Sequence, residues 1–152
     1  MLIAIGADHA GYHLKEELKL FLANLGHDRK DFGTDSTEPV DYPDVAEQVA
    51  RAVAGGQCPL GILICGTGIG SAIAATKVAG CRAALCHDTF SARHARLHND
   101  ANVLALGSRV IGPGLAKDVV AAWLDTPFEG GRHARRVEKI RAIEERERGG
   151  RR

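Results

Sequence analysis

Leu60-Gly61-Ile62-Leu63-Ile64-Cys65-Gly66-Thr67-Gly68-Ile69-Gly70-Ser71 is the stretch on which the fold turns. Its first half is an apolar run without polar alternation, the pattern of a strand covered on both faces. Its second half is a glycine loop opening a helical pattern that reaches about residue 78. The same strand-then-helix unit recurs in both directions. Residues 2–5 read as a strand and 14–25 as a helix, with Leu14, Leu18, Phe21, Leu22 and Leu25 at helical spacing. Residues 27–32 are a weaker strand ending in Gly33-Thr34-Asp35 turn chemistry, and Tyr42-Pro43-Asp44 starts a helix to residue 54. Further strands at 82–85 and 103–106 precede helices at 89–98 and 115–124. A charged helix with Val137, Ile140 and Ile143 as its apolar stripe runs over 132–148. Repetition of this kind predicts one α/β domain over 1–148, a three-layer sandwich around a five-stranded parallel sheet, with a frayed tail at 149–152.

Composition narrows the function classes. The 152 residues suit one domain, and 45% apolar with 26% charged residues is ordinary for a globular protein. A formal net charge of +1 writes no nucleic-acid footprint over the whole chain. No apolar run approaches the roughly 20 residues that span a bilayer, and the start of the chain has no charged segment before its short apolar run. Four cysteines without a C-x-x-C pair are expected to be free thiols in a reducing cytoplasm.

Ligands of parallel α/β sheets bind beyond the carboxyl ends of the strands, so the residues after each strand carry the functional reading. After the first strand stand Asp8 and His9, an Asp-His pair that either binds a ligand hydroxyl or caps the following helix. In Cys65-Gly66-Thr67-Gly68-Ile69-Gly70 the glycines let backbone approach a ligand, and the helix start turns amide N–H groups toward it. That nest suits a phosphate or a developing oxyanion, and its positive potential favours a thiolate at Cys65. A buried structural cysteine is the alternative. The loop lacks the lysine of a P-loop, and Ser71 stands where a cysteine phosphatase would carry its arginine. A dinucleotide fingerprint would want glycine in place of Ser71, although Asp88 lies at about the 20-residue distance of its acidic partner.

His94 and His98 share a helix face at a spacing that two metal ligands can use, but no third ligand is evident, and no metal is expected. His98-Asn99, at a helix end, suits acid–base work on a ligand, with an exposed helix-end histidine as the alternative. Arg109 follows the fifth strand. Arg132 and Arg136, four apart at the start of the last helix, oppose the helix dipole unless they hold an anion, and a phosphate shared by two guanidinium forks supplies that compensation. Nucleic acid is the competing occupant, but the chain has few aromatics and Glu138, Glu144, Glu145 and Glu147 dilute the basic cluster.

Taken together, Gly6-x-Asp8-His9-x-Gly11, Asp41-Tyr42-Pro43, Cys65-Gly66-Thr67-Gly68-Ile69-Gly70, His98-Asn99-Asp100-x-Asn102, Gly107-Ser108-Arg109 and Glu129-Gly130-Gly131-Arg132-His133-x-x-Arg136 resemble the B-type ribose-5-phosphate isomerase family. The lactose-pathway galactose-6-phosphate isomerase subunits share the scaffold. The resemblance runs from residue 2 to about 146 and implies a Rossmann-like sheet, a homodimer or dimer of dimers with sites across the interface, and no cofactor. It implies that Cys65 moves a proton between C1 and C2 of a sugar phosphate, assisted by Thr67, while the amides of Gly66, Gly68, Ile69 and Gly70 hold the enediolate. His98 would open the sugar ring with help from Asp8. His9, Arg132 and Arg136 would bind phosphate, with Arg109 arriving from the partner subunit. Asn99 would contact hydroxyls and Tyr42 would line the site. One branch of the family uses a glutamate after the glycine loop; residues 71–80 contain none, which places this chain with the cysteine type.

Overall fold

The computed structural model describes residues 1–150. Five strands, β1 (Leu2–Ala7), β2 (Asp28–Asp31), β3 (Leu60–Cys65), β4 (Ala83–Leu85) and β5 (Val103–Gly107), form one parallel sheet in the order β2-β1-β3-β5-β4. The helices are α1 (Tyr12–Asn24), α2 (Tyr42–Ala54), α3 (Ile69–Thr76), α4 (Thr89–Asn99), α5 (Pro113–Leu124) and α6 (Arg132–Gly149). The expected three-layer α/β sandwich is therefore present, with most element ends within two residues of the sequence reading. The helix α6 includes Gly149 and is capped by Gly150, so the expected frayed tail does not begin at 149; its remainder, 151–152, lies outside the described residues.

Alternate side chains of each strand feed opposite cores. Ile3, Ile5, Ile62, Ile64, Leu104 and Leu106 pack with Leu14, Leu18 and Leu22 of α1, Ala92 of α4 and the fully buried Trp123 of α5. Ala4, Leu63 and Val103 face α2 and α3 through Val45, Val49, Val53 and Ala75. The central strands are buried on both sides, which is why they read as unbroken apolar runs. The strand β2 sits at one edge and reads weakly because it is mostly exposed. Lys15 of α1, fully buried, is held there by both carboxylate oxygens of Asp31 at 2.7 Å. Burial pushes the Asp31 carboxyl up, but hydrogen bonds from Lys15, Lys19 and the Gly33 amide outweigh it and hold the group below its ordinary value.

The order of the sheet fixes where chemistry can gather. From β1 the chain goes out to β2 and returns on the other side of β1 as β3, so the switch point lies between the carboxyl ends of β1 and β3. There the Asp8 amide donates to the Ile64 carbonyl at 3.3 Å. The edge strand β4 has only three residues, and Leu85 on it lies beside exposed Ile69 and Ile73 of α3 and lines with them a groove of about 480 Å³. No helix among the described residues is long and apolar enough to cross a membrane.

Candidate active site

At the carboxyl edge of the sheet, Cys65 ends β3 with its side chain buried, and the Gly68 amide donates a hydrogen bond to its Sγ at 3.1 Å. Gly68 makes this possible by adopting φ +77°, a left-handed conformation in which a Cβ would also stand 2.6 Å from Leu85 and 2.8 Å from the Leu106 carbonyl carbon. The Ile69 amide donates to Thr67 Oγ1 at 3.3 Å. Two amides of the expected nest therefore serve the chain's own thiol and hydroxyl, and the first turn of α3 supplies those of Gly70 and Ser71, which have no acceptor within the helix.

The neighbouring loops close around this thiol. Ser108 and Arg109 donate backbone amides to the Cys65 and Gly66 carbonyls at 2.9 and 3.0 Å. The Arg109 guanidinium lies over Gly66 of its own chain, 3.4 Å from where a Cβ would project, so it stands beside its own Cys65 loop and does not need to arrive from a partner subunit as the resemblance implied. The Tyr42 ring rests on Gly70 so closely that a Cβ there would meet it at 2.5 Å. Ser108 Oγ donates to the Ala10 carbonyl at 2.7 Å, tying the loop after β5 to the loop after β1. Asp8, buried, accepts the Gly11 amide at 3.1 Å, so one of its oxygens does stabilise the start of α1. His9 Nδ1 accepts the Val40 amide at 3.2 Å, which leaves Nε2 as the nitrogen that donates outward. His87, which the sequence reading left without a role, accepts the Gly107 amide on Nε2 at 3.0 Å.

His98, Asn99, Arg132 and Arg136 are elsewhere. In a parallel crossover the helix runs back against the strands, so α4 ends at the amino edge of the sheet. Arg82, just before β4, donates to the Asn99 and Asp100 carbonyls at 3.2 and 2.8 Å and fixes that end in place. The Glu129 amide donates to the Leu97 carbonyl at 3.1 Å, and Glu144 of α6 accepts the Gly80 amide at 3.1 Å, so α6 lies along the same edge. The six-residue β3 spans about 20 Å at roughly 3.3 Å per residue, which separates this group from Cys65 within one chain.

The amino-edge group has its own geometry. The rings of His98 and His133 stack with centroids 4.0 Å apart and planes inclined by 9°. Glu129 Oε2 stands 3.9 Å from His98 Nε2 and 3.7 Å from His133 Nε2. Burial, followed by the neighbouring His98, holds His133 below the ordinary imidazole value. Arg132 and Arg136 are exposed, and neither makes an ion pair among the described residues. Sequence reasoning paired His98 with His94 and assigned nothing to Glu129 or His133. The Glu129-x-x-x-His133 spacing was the available signal, but only the packing of α6 on α4 brings it to His98.

A family model described as Ribose/Galactose Isomerase matches residues 3–140. The chain is 56% identical over 144 residues to ribose-5-phosphate isomerase B of Escherichia coli, covering 95% of this chain and 97% of that one. It is 53% identical over 146 residues to D-erythrulose-4-phosphate isomerase of Pectobacterium atrosepticum, covering 95% and 96%. Among solved structures, ribose-5-phosphate isomerase B of Clostridium thermocellum superimposes with a TM-score of 0.95 at 55% identity, covering 96% and 99%.

Proposed function

We propose that this chain, which belongs to the ribose/galactose isomerase family, interconverts ribose 5-phosphate and ribulose 5-phosphate in a reducing cytoplasm, without a metal or organic cofactor. The observation that carries the mechanism is the Gly68 N–H donated to Cys65 Sγ, because it supports negative charge on a sulfur at the end of a buried strand. The thiolate removes the C2 proton of the open-chain aldose, and the electron pair forms the C1–C2 double bond of an enediolate. The Gly70 and Ser71 amides, with the helix start behind them, stabilise the charge that develops on oxygen. The hydroxyl proton on O2 passes to O1 through Thr67, whose oxygen accepts from Ile69 and whose own proton is free to move. The thiol then returns its proton to C1 as the O2 carbonyl forms.

Ring opening and phosphate grip come from a second copy. The two groups of residues stand at opposite edges of one sheet, farther apart than a five-carbon sugar phosphate reaches. A two-fold dimer with its sheets side by side and antiparallel puts the carboxyl edge of one protomer against the amino edge of the other, and does so twice. The exposed Ile69, Ile73 and Leu85 beside the short β4 edge lie between the two groups and suit that interface. In the assembled site His98 opens the furanose with Asp8 across the interface, and Asn99 contacts sugar hydroxyls. Arg132 and Arg136 join His9 Nε2–H and Arg109 on the phosphate, and Tyr42 walls the site.

Turnover tests the reading. Ribose 5-phosphate incubated with the protein in deuterated solvent yields ribulose 5-phosphate, with exchange at the transferred carbon position. Absence of ketose with folded, dimeric protein refutes it. The Pectobacterium relative, named for a four-carbon sugar phosphate at nearly the same identity, makes erythrulose 4-phosphate the second substrate to assay.

A further inference from the structure

We propose that Arg82 and Asp100 are positioning residues for the reaction: they hold the end of α4 so that His98 and Asn99 stand where the assembled site needs them. The proposal deepens the reading above and rests on the ring-opening role given there to His98. Helix α4 ends at Asn99, and the last carbonyls of a helix have no partner within it. Here they are held from outside. The Leu97 carbonyl accepts the Glu129 amide at 3.1 Å, and the Asn99 carbonyl accepts Arg82 Nε–H at 3.2 Å, so the backbone is pinned on both sides of His98. The same guanidinium donates to the Asp100 carbonyl at 2.8 Å and to its carboxylate at 3.1 Å.

Asp100 turns the chain out of the helix at φ +46° and ψ +42°, and among the described residues it is the one non-glycine with a positive φ. Glycine would take that conformation without steric cost. The carboxylate has a use that glycine lacks: Oδ2 pairs with Arg82, and Oδ1 accepts Arg96 Nη1–H at 3.0 Å. Arg96 also donates to the Ala101 carbonyl at 2.7 Å, and its guanidinium lies over the fully buried Trp123 ring of α5, 5.9 Å from the centroid. Arg82 is tied in its turn, since its amide donates to Asn102 Oδ1 at 2.7 Å and Asn102 Nδ2 donates to the Gly80 carbonyl at 2.9 Å. The side chains of Arg82, Asp100 and Arg96 are 17%, 28% and 14% exposed, so solvent ions screen their bonds little. Planar guanidinium forks fix direction as well as distance. A cap that only ended the helix would need no such lacing. An imidazole that must meet a sugar held by another chain does need it, since a misplacement of about 1 Å costs on the order of 100-fold in rate.

The test uses the full-length protein with Arg82→Met, Arg82→Lys and Asp100→Asn. Ribulose 5-phosphate cannot close a furanose, so deuterium wash-in from solvent at its C1 reports proton transfer alone, whereas conversion to ribose 5-phosphate also needs ring closure. In Arg82→Met, conversion at saturating ketose should fall about tenfold or more while wash-in changes less than about twofold. Arg82→Lys, with one ammonium in place of the fork, should recover part of the conversion. The His98 imidazole proton signals in NMR, assigned by their loss in His98→Asn, should move or broaden in Arg82→Met, and those of His9 at the other edge should not. Asp100→Asn keeps a side chain that tolerates the left-handed turn and loses only the charge. It should change both readouts in the same direction by less, which keeps the result readable if Arg82→Met does not fold. Equal losses of wash-in and conversion, or an unmoved His98 signal in folded variants, overturn the proposal. A displaced His98 signal with both rates parental overturns instead the ring-opening role of His98 on which it rests.

Discussion

If Cys65 and His98 meet only across a dimer interface, two dead enzymes must make a live one. Cys65→Ala removes the proposed base, and His98→Asn removes the ring-opening group, so each homodimer carries the same lesion in both sites. Co-expressed with different tags and purified through both, the mixed dimer carries one site with both lesions and one with neither. One intact site of two predicts about half of the parental turnover per dimer, with an unchanged KM. The near-zero activity expected of each parent, and so the size of the contrast, follows from the roughly 20 Å that β3 places between the two groups, which no side-chain movement closes within a chain. His98→Asn paired with Arg136→Ala is the internal control, since both lesions lie at the amino edge of their own chain. Neither site of that mixed dimer is whole, and no rescue is expected. Mixed dimers verified by native mass spectrometry that show no activity above the sum of the parents would refute the cross-chain site, as would rescue by the control pair.

Arg136→Ala should weaken substrate use about tenfold or more, since a charge-assisted hydrogen bond contributes about 1.5–3 kcal/mol, and inorganic phosphate should inhibit the variant less than the parent. Iodoacetamide should label Cys65 first, with substrate protecting it; burial pushes the Cys81 thiol up to about 12 and the Cys86 thiol up to about 11, so peptide mass spectra should find both intact in folded protein. Asp31→Asn leaves Lys15 buried with only Glu16 at 3.3 Å and should cost about 3 kcal/mol in urea unfolding, the low end for a broken buried pair because Asp31 is partly exposed, whereas Lys15→Met should cost much less. The Asp31 carboxyl is held below its ordinary value in the fold, so its contribution is present above about pH 4 and is lost as the pH falls through the lower, folded value; the Asn variant should show a shallower loss of stability in acid.

The fold was legible because the central strands are buried on both faces. That leaves unbroken apolar runs at 60–65 and 103–106, and a glycine directly after each marks its carboxyl end. The strand ends were less legible. At β1 the strand continues through Gly6 and Ala7, because the ladder to β3 persists past the last large apolar residue. At β4 Arg82 falls just outside the strand, because its guanidinium is bound to the end of α4 and its carbonyl accepts the amides of Asn102 and Val103. Strand order was not legible at all. Nothing in a local pattern says that β5 inserts between β3 and β4, and that insertion leaves the short β4 on an edge with Leu85 exposed.

The site was legible as a residue list and not as a place. The structure adds a local setting to each candidate: the Cys65 thiol accepts the Gly68 amide, His9 Nδ1 accepts the Val40 amide, and Arg132 and Arg136 share one helix start without an ion pair among the described residues. Distance along the chain carries no information about which edge of the sheet a helix end reaches, and crossover geometry supplies it. A strand ending delivers Cys65 to the carboxyl edge, and the helix that returns from β4 necessarily delivers His98 to the amino edge. The proposed chemistry of one chain is therefore divided by its own topology, and under the reading proposed above symmetry reunites it. In that reading a side-by-side antiparallel pair makes both sites whole at once, which would couple the exposed apolar residues of α3 and β4 directly to catalysis. Ile73→Asp, on that surface and outside the proposed catalytic groups, should then abolish turnover at dilutions where it yields folded monomer, as read by sedimentation and circular dichroism. Full activity in a demonstrated monomer would break the coupling.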